Sequence, residues 1–176
     1  EAHAVVKILS GDGERLWEKE KLLDARLSQQ GAYLIDYALT QVASTGTAKS
    51  LSWKFPQQRL AGKTGTSNDL RDSWFVGFDQ KSVVTSWIGR DDNKPMGLTG
   101  SSGALTLFSN YLTAQGSNSR FDLMPEGIEF ATFELATGNV VLDDCANVEQ
   151  YPAITSGIFI SDQCLEKRKD PPNWLE

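Results

Sequence analysis

The 176-residue chain has one histidine, two cysteines and no long apolar run. Because His3 is the sole histidine and lies near the start of the sequence, no Ser-His-Asp triad can be built. Two cysteines with one histidine are too few for a closed zinc site of the usual kind. No stretch approaches the roughly 18 apolar residues of a membrane span, and no signal peptide is visible. We expect neither a metal site nor a cofactor.

The charge balance argues against nucleic acid as a partner. There are 17 Lys and Arg against 23 Asp and Glu, a net charge of −6. An acidic chain repels a phosphate backbone and an anionic membrane surface. The 40% of hydrophobic and 23% of charged residues are typical of a globular protein of one domain, or of one domain with an appendage. The chain begins at Glu1 without methionine, and we expect it to be a piece of a longer protein.

Hydrophobic periodicity predicts an α+β protein. A helix is expected between Ser28, a candidate N-cap, and Gly46, which would stop it. Its predicted buried stripe has the i, i+3, i+4, i+7 spacing and consists of Ile35, Ala38, Leu39 and Val42. Strands are predicted over 59–66, 73–78 and 83–89, the last two as an antiparallel pair, and a hairpin joins 4–9 to 15–17.

A second helix is predicted to start near Ser101 and to end before Gly116. The polar, small residues 115–120 are the best linker, which divides the chain into 1–115 and 116–176. Short strands are expected beyond it over 128–133, 140–142 and 158–160, with a turn at 137–139. The second part is therefore predicted to be a small β-rich extension.

Cys145 and Cys164 lie 19 positions apart within that extension. They are either two unrelated buried thiols or a disulfide formed in an oxidising compartment. A disulfide closing such a loop would stabilise the fold by roughly 3 kcal/mol on the chain-entropy estimate.

The segment Gly62-Lys63-Thr64 has the ending of a phosphate-binding loop. That motif needs another glycine five residues before the second one, and Gln57 occupies the position. It must also open a helix, whereas turn residues and a strand follow here. A nucleotide site is therefore rejected.

If residues 63–66 lie on an edge strand, they suit the binding of a carboxylate. Lys63 supplies a positive charge, and Thr64 and Thr66 offer hydroxyls to the same group. Gly65 lacks a Cβ, so a substrate backbone could approach the strand. The Thr66 amide could stabilise an oxyanion. The alternative is an ordinary solvated strand end, in which Lys63 protects an exposed edge.

The sequence Lys63-Thr64-Gly65 is also one signature, K-T-G, of the penicillin-recognising serine enzymes, whose other signatures are S-x-x-K and S-x-N. The stretches AGKTGTSNDLRDSWFVGF and VVTSWIGRDDNKPMG, with Gly46-Thr47-Ala48 upstream, resemble bifunctional class A penicillin-binding proteins of the 1B type over residues 32–115. Residues 137–138 and the cysteine pair resemble those proteins' C-terminal extension.

The resemblance implies a five-stranded antiparallel sheet flanked by helices, as in serine β-lactamases. It implies a D,D-transpeptidase that cross-links peptidoglycan stem peptides ending in D-Ala-D-Ala through a serine acyl-enzyme, which β-lactams trap. Lys63, Thr64 and Thr66 would hold the terminal carboxylate, with Gly65 between them, and the Thr66 amide would complete the oxyanion hole. The enzyme would act at the periplasmic face of the inner membrane.

Neither S-x-x-K nor S-x-N occurs in the sequence. The family places both upstream of the matched region, so the acylated serine, the glycosyltransferase domain and a membrane anchor are expected before Glu1. The chain alone should then be inactive. Only three of the five strands would be present, and the unpaired strand 83–89 should favour self-association.

Two other functions compete with this one. A non-catalytic module could use the same strand to sense peptidoglycan or β-lactams. A serine β-lactamase relative fits less well, because the cysteine-bearing extension has no place in that scheme.

Overall fold

A computed structural model describes residues 4–19, 26–142 and 145–167; His3 lies outside them. The elements in chain order are β1 Lys7–Leu9, β2 Arg15–Glu18, α1 Gln29–Ser44, α2 Ser50–Lys54, β3 Ala61–Thr66, β4 Ser73–Phe78, β5 Val83–Ile88, α3 Ala104–Gln115, β6 Ile128–Glu134, β7 Val140–Val141, β8 Val148–Ile154 and β9 Ile160–Ser161. They form a β1–β2 hairpin, a three-stranded sheet β3-β4-β5 and a four-stranded sheet β8-β6-β7-β9. The predicted hairpin, the three central strands and the α+β class are confirmed.

Helix α1 begins and ends where the sequence indicated. The Ser28 hydroxyl accepts a hydrogen bond from the Gly31 amide, and the Gly46 amide donates to the Gln41 carbonyl beyond the last turn. Half of the predicted buried stripe is wrong, because Ile35 is half exposed and Ala38 is exposed, whereas Leu39 is partly buried and Val42 packs against the core. The inward face has i, i+3, i+7, i+10 spacing and consists of Tyr33, Asp36, Thr40 and Ala43. Because two of these residues are polar, the hydrophobic periodicity of the sequence does not show this face.

The inward face of α1 is held by charges as well as by packing. Asp36 is hydrogen-bonded to Arg120, and Tyr33 donates to Asp122 at 3.1 Å. Burial raises the pKa of Tyr33, and its hydrogen bond to the Asp122 carboxylate raises it further. These contacts tie α1 to the segment that contains Arg120 and Asp122.

The three-stranded sheet is antiparallel throughout and packs one face on α3. Thr64 lies opposite Phe75, and Val76 lies opposite Thr85. The Phe75 and Phe108 rings lie 5.0 Å apart. Alternation along β4 buries Ser73 and Phe75 on this face. The buried core around them consists of Ala43, Ala48, Leu51, Leu60, Phe75, Ala104, Leu105, Phe108 and Leu112.

Strand β5 pairs only with β4 among the described residues. Its free edge carries Val83, whose side chain is 75% exposed. This is the arrangement from which self-association was predicted, and the association itself stays a prediction.

Two elements had not been predicted from the sequence. Helix α2 has five residues, which is too short for a 3.6-residue period to be visible, and it is anchored by the buried Leu51. Strand β8 pairs with β6 over seven positions although it contains Pro152, a residue that argues against a strand. Pro152 is tolerated because β8 is an edge strand of its sheet.

The segment 115–120, predicted as a linker, is tied to the first sheet. The helix stops at Gly116, where φ is +80°. The Asn118 amide then donates to Asp79 at 2.8 Å, and the Arg120 guanidinium lies 4.6 Å from the centre of the Phe78 ring. These residues are therefore not a free spacer. The division of the chain at residue 115 stays a prediction.

The cysteine pair forms a disulfide, so that alternative is confirmed. The Cα atoms of Cys145 and Cys164 are 5.5 Å apart, and Cys145 is buried. Nearby, the buried Glu134 carboxylate accepts hydrogen bonds from the Thr137 hydroxyl and the Leu165 amide, each at 2.8 Å. The disulfide and this carboxylate both attach the tail to the second sheet. Within the described ranges no helix is long and apolar enough to cross a membrane.

Asp79 gives the first sheet a pH-dependent contact. Burial opposes its ionisation, but hydrogen bonds from Asn118, Lys81 and Ser82 outweigh that effect and hold the pKa of the carboxyl below its ordinary value of 3.8. A depressed native pKa stabilises the fold above the unfolded pKa, and this stabilisation is lost as the pH falls through the native pKa.

We therefore expect Asp79→Asn to lower the free energy of unfolding by about 1–3 kcal/mol at pH 7. The difference from the wild type should narrow as the pH falls below 3.8. Urea unfolding at several pH values between 7 and 3 or below measures the loss of stability and its dependence on pH. The variant Asp91→Asn, at an exposed position, is the control. A difference that does not change with pH would show that the charge of Asp79 contributes nothing.

Candidate functional site

Strand β3 carries residues 63–66 along an edge of the three-stranded sheet, as predicted. Its hydrogen-bonded neighbour within the described part of the chain is β4. Thr64 and Thr66 lie opposite Phe75 and Ser73, on the face that packs against α3. Lys63 and Gly65 are on the other face because side chains alternate along a strand. The predicted residues are thus divided between two faces of one edge strand.

The Lys63 side chain folds back over the free edge. Its Nζ donates to the Thr64 carbonyl oxygen at 2.7 Å, and the side chain is exposed. An ammonium group has three N–H donors, so two remain for a ligand at this edge. The fold-back brings the positive charge of Lys63 to the strand edge, which its position on the opposite face would otherwise prevent.

The direction of the Thr64 carbonyl also locates the Thr66 amide. A carbonyl that reaches Lys63 points away from β4, toward the free edge. Backbone groups of an edge strand alternate between its two sides, so the Thr66 N–H points to the same edge as the Thr64 carbonyl. An amide that points away from β4, an ammonium group and two hydroxyls therefore lie along four residues.

The Thr66 hydroxyl is oriented by a loop that precedes α3. The Gly100 amide donates to Thr66 Oγ1 at 2.9 Å. This bond uses a lone pair of the hydroxyl and leaves its proton free to be donated. The loop is held in turn by Ser73, whose hydroxyl donates to the Thr99 carbonyl at 2.7 Å and accepts from the Ala104 amide at 2.8 Å.

The Thr64 hydroxyl contacts the turn between α1 and α2. Its oxygen lies 2.8 Å from that of Thr47. In the sequence, residues 46–48 are visible only as part of a family pattern, and no motif contains Gly100. Both contacts join segments far apart in the chain, so no local pattern could reveal them, although the glycines of GLTGSSG mark a tightly packed loop.

No family model matches the chain. Penicillin-binding protein 1B from Vibrio cholerae is 39% identical over 173 residues, which cover 98% of this chain and 22% of that protein. Penicillin-binding protein 1B from Escherichia coli K12 is 38% identical over 112 residues, or 64% of this chain and 13% of that protein. The chain belongs to the penicillin-binding protein family.

A solved structure shows the same fold. Penicillin-binding protein 1A from Haemophilus influenzae superposes with a TM-score of 0.63 at 20% identity, covering 90% of this chain and 29% of that one. The expected α+β fold of the penicillin-binding proteins is thereby confirmed. The chain spans about a fifth of the length of its Vibrio cholerae relative, and three-tenths of the length of that solved chain.

The serines that flank the strand of this penicillin-binding protein are both engaged. Ser73 is fully buried, and its hydroxyl both donates and accepts. The Ser67 hydroxyl donates to the Asp72 carboxylate at 2.8 Å. Neither lies in an S-x-x-K sequence. Neither serine is therefore arranged as a nucleophile in the described structure.

The outer face of the sheet presents an aromatic pair beside Gly65. The Trp74 and Trp87 ring centroids are 5.9 Å apart, and both side chains are nearly half exposed. Trp87 Nε1 donates to Asp72 at 3.0 Å, which ties the rings to the loop that follows β3. A Cβ at Gly65 would lie 3.1 Å from the Trp74 Cβ. Gly65 therefore also serves packing between the strands.

Proposed function

We propose that residues 63–66 bind the terminal carboxylate of peptidoglycan stem peptides and of β-lactams, as part of a serine-type D,D-transpeptidase domain. The observation that carries the proposal is that an ammonium group, two threonine hydroxyls and the Thr66 amide lie along four consecutive residues of β3, whose hydrogen-bonded neighbour among the described residues is β4. The bifunctional glycosyltransferase and transpeptidase organisation, and an acylated serine outside residues 1–176, belong to the same proposal.

Each group has a separate task in the reaction. The Lys63 ammonium and the hydroxyls of Thr64 and Thr66 hold the carboxylate of the terminal D-Ala, since charge-assisted hydrogen bonds are the stronger kind. The serine oxygen attacks the carbonyl carbon of the D-Ala-D-Ala bond, and the Thr66 N–H stabilises the resulting oxyanion. The terminal D-Ala leaves with a proton, and an amine of a neighbouring peptide then takes the acyl group from the serine.

The remaining parts of the proposal concern location and organisation. A disulfide between Cys145 and Cys164 suits an oxidising compartment, which supports the periplasmic face of the inner membrane. Residues 1–115 are the carboxylate-binding half of the catalytic domain, and residues 116–176 are a small extension. The upstream half of the domain is the first partner of this chain.

A non-catalytic sensor of peptidoglycan or β-lactams is the second candidate. The observation in its favour is that the chain lacks S-x-x-K and that the hydroxyls of Ser67 and Ser73 are engaged. The two candidates differ in one feature of the complete protein, a covalent penicillin adduct.

Intact mass after incubation with excess penicillin tests the proposal. We expect no added mass on residues 1–176 alone and one drug mass on the complete protein that contains them. Lys63→Met in that protein should slow acylation by about 10- to 100-fold, because a hydrogen bond to a charged group is lost. The exposed Lys81→Met is the matched control. An adduct on the isolated chain would contradict the divided site, and an unmodified complete protein would favour the sensor.

A further inference from the structure

We infer that Thr47 is a positioning residue, which directs the Thr64 hydroxyl proton toward the bound carboxylate; this rests on the proposed function. The two hydroxyl oxygens lie 2.8 Å apart although 17 positions separate the residues. Thr47 itself need not touch the substrate. It acts through Thr64, and its effect should therefore depend on whether the ligand carries a carboxylate.

The backbone of Thr47 is fixed from both sides. The Gly46 amide donates to the Gln41 carbonyl at 2.9 Å, and the Ala48 amide donates to the Val42 carbonyl at 3.0 Å. Ala48 is completely buried in the core beside Leu51. The hydroxyl of Thr47 is thus held against β3 by the end of α1 and the start of α2.

Gly46 shows how little room this turn has. A Cβ there would lie 2.9 Å from the Val42 Cα and 3.1 Å from the Val42 carbonyl oxygen. Backbone atoms cannot yield as the end of a flexible side chain can. The tight turn therefore holds the backbone of Thr47 close to β3, although the residue itself is exposed, and a fixed backbone helps one residue to orient another.

The contact between the Thr47 and Thr64 hydroxyls determines which of their two protons is available to a ligand. One proton lies between the two oxygens and the other is free, since each hydroxyl carries one proton and two lone pairs. A carboxylate has no proton to give, so a bound ligand requires the Thr64 proton. Thr47 then supplies the proton that lies between the oxygens, and the chain from Thr47 to Thr64 to carboxylate strengthens each bond cooperatively.

Thr47→Val keeps the shape of the side chain and removes the hydroxyl. In the complete protein we expect it to slow acylation by benzylpenicillin about fivefold, within the range of one net hydrogen bond. Acylation by the penicillin methyl ester, which lacks the carboxylate, should be slowed less than twofold. Thr47→Ser restores the hydroxyl and should return the rate for benzylpenicillin to within about twofold of the wild type.

Thr45→Val is the matched control, because the Thr45 hydroxyl lies in the same turn but bonds the Gln41 carbonyl at 3.3 Å. It should change neither rate. Equal slowing of acid and ester by Thr47→Val would indicate a structural role and overturn the inference, as would no slowing. A wild-type protein that penicillin does not acylate would overturn the proposed function first and this inference with it.

Discussion

Gly100→Ala is expected to destabilise the fold by about 3 kcal/mol, at the upper end for an overpacked site. A Cβ at Gly100 would lie 2.6 Å from the carbonyl oxygens of Gly65 and Trp74, and 2.8 Å from the Gly65 nitrogen. All three are backbone atoms of the paired strands β3 and β4. Neither strand can move without disturbing the ladder, so the loop that contains Gly100 must lift away.

Lifting the loop also removes a contact of β3. The hydrogen bond from the Gly100 amide to Thr66 would break, and the Thr66 hydroxyl would lose its orientation. Because the Ser73 hydroxyl holds the same loop through Thr99, the buried pairing beneath it is strained as well. We therefore expect slower acylation of the complete protein at temperatures where the variant is still folded.

Urea unfolding of the chain measures the stability loss, and the rate of penicillin acylation measures the functional loss. Gly11→Ala is the control, since a Cβ there meets no atom within 4 Å and its φ is not positive. It should leave both quantities unchanged. If the free energy of unfolding of Gly100→Ala equals that of the wild type, this loop is not packed tightly on β3.

Strand β3 could be predicted because its sequence signal is local. Residues 73–78 have a strand-like composition, and turn residues separate them from 59–66, so an edge strand and its partner follow from the sequence. The face of α1 could not be predicted in the same way. Asp36 and Thr40 point inward because Arg120, far along the chain, lies opposite them. Such a partner leaves no trace in the helix's own sequence.

The distinction between local sequence signals and contacts with distant segments also applies to the candidate site. Lys63, Thr64 and Thr66 could be proposed from the sequence because a carboxylate site needs a charge and hydroxyls, which are visible as residue types. Thr47 and Gly100 act through one contact each, across separations of 17 and 34 positions. Their roles depend on the three-dimensional approach of two loops to β3, which residue type alone does not indicate.

Reduction of the disulfide between Cys145 and Cys164 is expected to lower the free energy of unfolding by roughly 3 kcal/mol, because the unfolded chain is then no longer constrained across a separation of 19 residues. The loss should be confined to the second sheet. The closed loop contains β8 and β9, which pair with β6 and β7, and contains no strand of the sheet that carries residues 63–66. Cys145 is also buried, so the disulfide lies inside the structure that it stabilises.

Hydrogen exchange followed by mass spectrometry separates the two sheets, with and without reductant. Amides of β6 and β8 should lose protection when the disulfide is reduced, whereas those of β3 and β4 should keep theirs. The double variant Cys145→Ala with Cys164→Ala is the control and should not respond to reductant. If β3 and β4 lose as much protection as β6, the two sheets unfold as one cooperative unit. The stability of β3, and with it the proposed carboxylate site, would then depend on the redox state of the disulfide between Cys145 and Cys164.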